Sequence, residues 1–161
     1  MNGLFLEYAN LKPVAVPADM NGAAVTGARV SLGENERATI VINMGDSTAA
    51  VTTFTLQQHD AATAGNSKNL EVTNAYFHKV AAATSFTKVV PNSATAVYDV
   101  ASLFADDEGV LVFEVEAQDL DLDNGFTHIS INSADSTAAK IMSAVYVLAE
   151  PKHKPAYERA I

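Results

Sequence analysis

The sequence predicts an all-β protein, an antiparallel β-sandwich, with extended arms at both ends. Three observations predict it. Short runs of residues alternate apolar and polar side chains with a period of two, as in AVTTFTLQQ and VLVFEVEA, which is the mark of a strand with one buried and one wet face. Turn-forming dipeptides and small polar clusters separate these runs at short intervals. Little of the chain sustains the apolar spacing of a helix. Together they give about eight or nine short strands, the pattern of a sandwich or barrel.

Residues 110–132, VLVFEVEAQDLDLDNGFTHISIN, carry the clearest signal. Leu111, Phe113, Val115 and Ala117 fall on one face of a strand, with Glu114 and Glu116 on the other. Asn124-Gly125 is a strong turn dipeptide because both residues tolerate positive φ. After it, Thr127, Ile129 and Ile131 alternate with His128, Ser130 and Asn132, so a second strand follows. Leu120 and Leu122 are expected to anchor the crossing between the two strands while the aspartates stay solvated.

The remaining elements follow in chain order. Residues 1–28 hold Pro13, Pro17, Gly3, Gly22 and Gly27 with no sustained period, and are expected to form an extended N-terminal arm. Its first part, LFLEYANL, suits one helical turn or a short strand equally. From Arg29 the pattern becomes β: ARVSL, a polar turn at Gly33-Glu34-Asn35-Glu36, then ATIVIN with Ile40 and Ile42 inward. VTTFTLQQH follows with Phe54 and Leu56 on one face, and DAATAGNSKN reads as a loop. AYFHKVA and SFTKVV pair around Ala82-Ala83-Thr84, and Pro91-Asn92-Ser93 precedes the strand TAVYDV. SAVYVLAE is apolar on both faces and is expected in the interior of a sheet. The domain is thus expected to span 29–150, with a tail over 151–161.

A weak internal repeat bears on the architecture. Ile40-x-Ile42-Asn43-x-x-Asp46-Ser47-Thr48-Ala49-Ala50 returns as Ile129-x-Ile131-Asn132-x-x-Asp135-Ser136-Thr137-Ala138-Ala139. Either one turn chemistry is used twice, or these are equivalent connections in two Greek-key halves, as in a jelly roll.

Composition narrows the function classes. The 161 residues are 48% apolar and 18% charged, sufficient for one globular domain with its own core. Net charge is −9, the wrong sign for displacing counterions from phosphates, so no nucleic-acid partner is expected. The chain contains no cysteine, which removes disulfides, thiolate metal sites and cysteine nucleophiles. No basic segment and long apolar run follow Met1, so neither a signal peptide nor a membrane span is expected.

Candidate chemistry is sparse. Gly45-Asp46-Ser47 is similar to the serine-nucleophile block of GDS-type esterases. It leads into a strand rather than a helix, however, and no Asp-x-x-His follows to supply the base. Asp119, Asp121 and Asp123 have the one-three-five spacing of an EF-hand loop, yet Asn124 stands at the sixth position and Ser130 at the twelfth. An acidic turn at the edge of the sandwich is the better account, and whether the three bind a cation is left open. Glu114 and Glu116 are paired carboxylates without the tryptophans of a sugar cleft. His59, His78, His128 and His153 show no ligand spacing, and alternation places His59 and His128 on wet faces. No catalytic residue, cofactor or metal is expected.

The run FEVEAQDLDLDNGFTHISI, with the later SAVYVLAE and the earlier ATIVINMGDSTAAVTTFTLQQ, resembles a family of small virion proteins. These are encoded in the head-gene clusters of tailed bacteriophages, and share an F-x-V-x-A-x-D-L-D…G-[FY]-x-x-[VI] core. The resemblance covers about residues 29–150. It implies a capsid decoration (cement) protein of jelly-roll type, bound to the major capsid protein on the outer surface of the virion as a dimer or trimer. It carries over no catalytic residue. On that reading the interface lies in the arms: Leu4, Phe5, Leu6 and Tyr8 at the N-terminus, and Lys152, Lys154, Tyr157 and Arg159 in the tail. The competing expectations are a tail or baseplate protein and a carbohydrate-binding sandwich, whose platform would need Tyr76, Phe77, Tyr98 and Phe126.

Overall fold

The computed structural model describes residues 5–7, 9–46, 53–104, 107–136 and 139–151. A 3-10 turn at Phe5–Glu7 precedes β1 (Ala9–Asp19), β2 (Val25–Thr26), β3 (Val30–Ser31) and β4 (Asn35–Met44). Next come β5 (Thr53–His59), β6 (Ser67–Asn69), β7 (Tyr76–Val80), β8 (Thr87–Val89) and β9 (Val97–Asp99). The chain ends with β10 (Gly109–Glu116), 3-10 turns at Ala117–Asp119 and Leu122–Asn124, β11 (His128–Ser133) and β12 (Ile141–Pro151).

The strands form two antiparallel sheets packed as a sandwich. One runs β1-β12-β4-β10-β7-β8; in the other β2 and β3 flank β11, which pairs with β5, and β6 and β9 line the far side of β5. Treat β2 with β3 and β6 with β9 as single broken strands, and set aside the β7–β8 hairpin. The eight strands left read first-eighth-third-sixth in one sheet and second-seventh-fourth-fifth in the other. This is the jelly-roll order. Both DSTAA segments follow a central strand that crosses to the opposite sheet, from β4 to β5 and from β11 to β12. The repeat therefore marks equivalent crossings between the two halves.

The core lies between the sheets. β10 alternates as the sequence predicts, with Leu111, Phe113, Val115 and Ala117 buried against Ile40, Ile42, Leu56 and Ile131. Phe113 centres an aromatic cluster, with ring centroids 4.7 Å from Tyr98, 5.6 Å from Tyr76 and 6.4 Å from Phe54. Rings at such offset and tilted spacings add to the stabilisation that burial supplies. Gly109 opens β10 where a Cβ would lie 2.4 Å from the carbonyl oxygen of Lys79 and 2.5 Å from the Phe104 ring. Only glycine fits that approach.

Two expectations are corrected. The N-terminal arm does not extend to residue 28, because β1 pairs antiparallel with β12 from Ala9↔Ala149 to Asp19↔Ile141. Val14 and Met20 are buried in the core. Pro13 and Pro17 are compatible with a strand here because β1 is an edge, where a missing N–H costs no ladder bond on the open side. The domain accordingly begins at Ala9 and runs through Pro151, which pairs with Asn35. Leu120 does anchor the crossing after β10, at 6% exposure, but Leu122 is 50% exposed. The 3-10 turn at Leu122–Asn124 carries Leu122 outward before Gly125, at φ 80°, reverses the chain.

Candidate functional site

The first and last strands of the sheet pair with each other, so the two ends of the chain leave from one corner. Phe5 and Leu6 stand there at 58% and 68% exposure, in the 3-10 turn that leads to Ala9 and its partner Ala149. β12 ends two residues later at Pro151, beside Asn35. Of the residues expected to form the interface, Phe5 and Leu6 are placed. Leu4, Tyr8, Lys152, Lys154, Tyr157 and Arg159 lie outside the described residues. The corner also holds a groove of about 220 Å³ lined by Glu36, Arg37, Glu116 and Gln118. In it Arg37 Nη2 donates to Glu116 Oε1 at 3.1 Å and Gln118 Nε2 to Glu116 Oε2 at 2.5 Å. Arg37 Nε is buried there with no hydrogen-bond partner among the described residues.

From this corner spreads the outer face of the β1-β12-β4-β10-β7-β8 sheet. Strand register sets Pro13, Val145, Val41, Val112 and Phe77 in one row across five strands, and exposed Lys88 of β8 closes it beside Phe77. A second row runs Leu11, Val147, Thr39, Glu114, and a third Ser143, Asn43, Val110, Lys79. All of these side chains keep solvent exposure, so the centre of the face is an apolar, valine-rich band. Leu11 and Val16, on the edge strand, are 45% and 71% exposed. Sequence reasoning missed this band. Its signal was present in VLVFEV and SAVYVLAE, strands apolar on both faces, but apolar residues on both faces normally mean coverage on both faces.

The opposite outer face is polar. Thr55 pairs with Asn132, Gln57 with Ser130 and His59 with His128, and Asn132 Nδ2 donates to Gln57 Oε1 at 2.8 Å. His59 corrects an expectation: it points outward as alternation requires, yet is only 3% exposed. Arg29 Nη1 donates to the carbonyl oxygens of Ala61 and Ala64, and its Nη2 to Ser67 Oγ at 3.1 Å. These bonds draw the loop after β5 over the ring. Ser67 Oγ lies 2.7 Å from His59 Nδ1, and Ser130 Oγ 2.8 Å from Nε2. Each ring nitrogen thus faces a hydroxyl that can donate or accept, so the neutral ring is satisfied in either tautomer. Burial, then the charges of Arg29 and His128, depress the His59 pKa to about 4. A neutral imidazole enclosed by two hydroxyls is a structural tie.

The remaining candidates are dispersed. Asp119 Oδ2 accepts from Asn74 Nδ2 at 2.8 Å and from the Glu116 backbone N–H at 2.9 Å. Asp121 bonds Lys68 and Asn124, and those bonds hold its carboxyl below the usual range. Asp119 and Asp121 thus serve different partners, and among the described residues no three His, Asp or Glu side chains gather as a metal site would need. Lys68 Nζ also sits 4.4 Å from the centroid of the Phe126 ring. Tyr76, Tyr98 and Phe126 are buried and Phe77 lies on the opposite sheet's outer face, so the four do not assemble into a sugar-stacking platform. Ser47 and His153 lie outside the described residues.

No protein-family model and no curated protein matches the chain. A solved structure, that of the SPBc2 prophage-derived protein YomS, is similar over 86% of this chain and 92% of that one, at 11% identity and a TM-score of 0.34. A score of that size falls short of a shared fold. The jelly-roll assignment rests on the strand pairing of this chain.

Proposed function

We propose that this chain is a structural protein of a bacteriophage virion. Its role is that of a capsid cement protein, binding the outer surface of the major capsid protein lattice and stabilising the DNA-filled head. One observation carries the reading beyond the sequence resemblance: the two chain ends leave from a single corner of a jelly roll. That corner exposes Phe5 and Leu6, and the basic segment with Lys152, Lys154 and Arg159 continues from it. A sandwich whose first and last strands bring both chain ends out at one corner suits repeated, modest contacts on a lattice, where many sites act together. The role is mechanical rather than catalytic.

Ligand linkage sets the size of the effect. A protein that binds the intact shell and not the ruptured one stabilises it by about 2.7 kcal/mol per site at a hundredfold excess over Kd. Particles lacking this protein are expected to assemble and package, but to release DNA at lower temperature. Purified protein added back restores them. Equal heat resistance with and without the protein overturns the cement role.

A further inference from the structure

The apolar outer face of the β1-β12-β4-β10-β7-β8 sheet is built to pack on itself, and we propose that a second copy of this chain covers it through a two-fold axis lying along the Pro13–Val145–Val41–Val112–Phe77 row. The inference concerns the sheet face alone and stands whether or not the chain coats a shell.

The distribution of charge selects this occupant. On β10 Glu114 lies two residues to one side of Val112, and Val110 two residues to the other. Val110 is paired with Lys79. A two-fold axis through the row reverses the strand direction, so Glu114 of each copy faces Val110 of the other, with Lys79 beside it. Within the row valine meets valine, and Lys88 of β8, which continues the row beside Phe77, meets its own image at the exposed rim, where solvent screens the repulsion. Thr39 comes opposite Asn43, which keeps polar groups together. Arg37 comes opposite Gly45 of the second copy, next to Glu108. Two Glu114–Lys79 pairs therefore bracket an apolar centre, as an isologous interface requires.

Within one chain these groups do not meet. Four strand residues and one strand spacing separate Glu114 from Lys79, about 14 Å between Cα atoms. Size is adequate as well. Six strands by five outward rows measure roughly 24 Å by 27 Å, or about 650 Å² of footprint, close to the ~800 Å² per partner of a stable interface. Because the axis reverses strand direction, the corners bearing Phe5 and Leu6 end up at opposite ends of the dimer, an arrangement that bridges two sites.

Sedimentation equilibrium of the full chain tests this. The wild type is expected to be dimeric at micromolar concentration, and Val41→Glu to be monomeric. Glu114→Lys and Lys79→Glu each weaken the dimer at least tenfold, and the double variant returns to within about threefold of wild type. Lys79→Glu makes the net charge more negative and Glu114→Lys makes it less so, hence an effect of net charge alone moves the two in opposite directions. Circular dichroism confirms that each variant is folded. A wild type that stays monomeric at a hundred micromolar overturns the proposal, as does a double variant as weak as the single ones.

Discussion

The hydroxyl of Tyr146 donates a 2.9 Å hydrogen bond to the carbonyl oxygen of Ala28. Tyr146 is fully buried at the middle of β12, and Ala28 lies between β2 and β3 at the edge of the other sheet. One side chain thus crosses the sandwich and satisfies a backbone acceptor. Burial also raises the phenol pKa well above its usual value, so the group remains a donor at every pH the fold tolerates. Tyr146→Phe keeps the ring and strands the acceptor. Its expected cost is about 1–2 kcal/mol, read as a lower urea midpoint at unchanged slope.

Stability should fall with acid before the carboxylates titrate. The unfolded chain takes up a proton on His59 near pH 6.5, while the folded chain resists until about pH 4. Across that window the unfolded state binds more protons, so stability is complete above pH 6.5 and declines as pH drops. The loss is on the order of 3 kcal/mol by pH 4. His128 is shifted in the same direction by burial and Arg29 and adds to the slope. Urea unfolding of wild type and His59→Gln at pH 7, 5.5 and 4.5 checks this. The variant is expected to show the shallower decline, and parallel declines would place the acid sensitivity elsewhere.

Gly109→Ala is expected to destabilise the fold by about 2 kcal/mol through overpacking. The added methyl meets a backbone oxygen and the Phe104 ring, neither of which yields as a flexible side-chain tip would. Gly125→Ala also costs stability, but for a different reason: nothing lies near its Cβ, and only the positive φ is strained. Thermal melts of the two variants, with a larger drop for Gly109→Ala, separate crowding from strain.

Deletions locate the start of the domain. Removing residues 1–8 is expected to leave the melting transition nearly unchanged, since pairing begins at Ala9. Removal through residue 19 strips β1 from β12 and takes Val14 out of the core, which exposes a long interior strand as an open edge. That product is expected to aggregate or fail to fold. A 1–19 deletion that melts like the full chain would show β1 to be dispensable.

Apart from β6, whose Ser67–Asn69 end the stretch DAATAGNSKN that reads as a loop, the strands from β3 onward were legible because alternation is a local property: which face each residue of VLVFEVEA or TFTLQQ takes follows from the period of the backbone. The turns were legible for the same reason, since Asn124-Gly125 signals its own geometry. β1 was not, because its two prolines argue against a strand unless one knows that it forms an edge, and edge or centre is decided by partners as far off in sequence as Ala149 is from Ala9. His59 was assigned the correct side but the wrong exposure, because its cover comes from Arg29 holding a loop, a contact no local pattern encodes. The same limit applies to the candidate surface. The sequence by itself determined that Val41, Val112 and Val145 share strands with buried residues and point away from them. Only tertiary pairing decided that they fall in one row, with Glu114 and Lys79 on opposite sides of it, because register is a relation between strands and each strand carries only its own half.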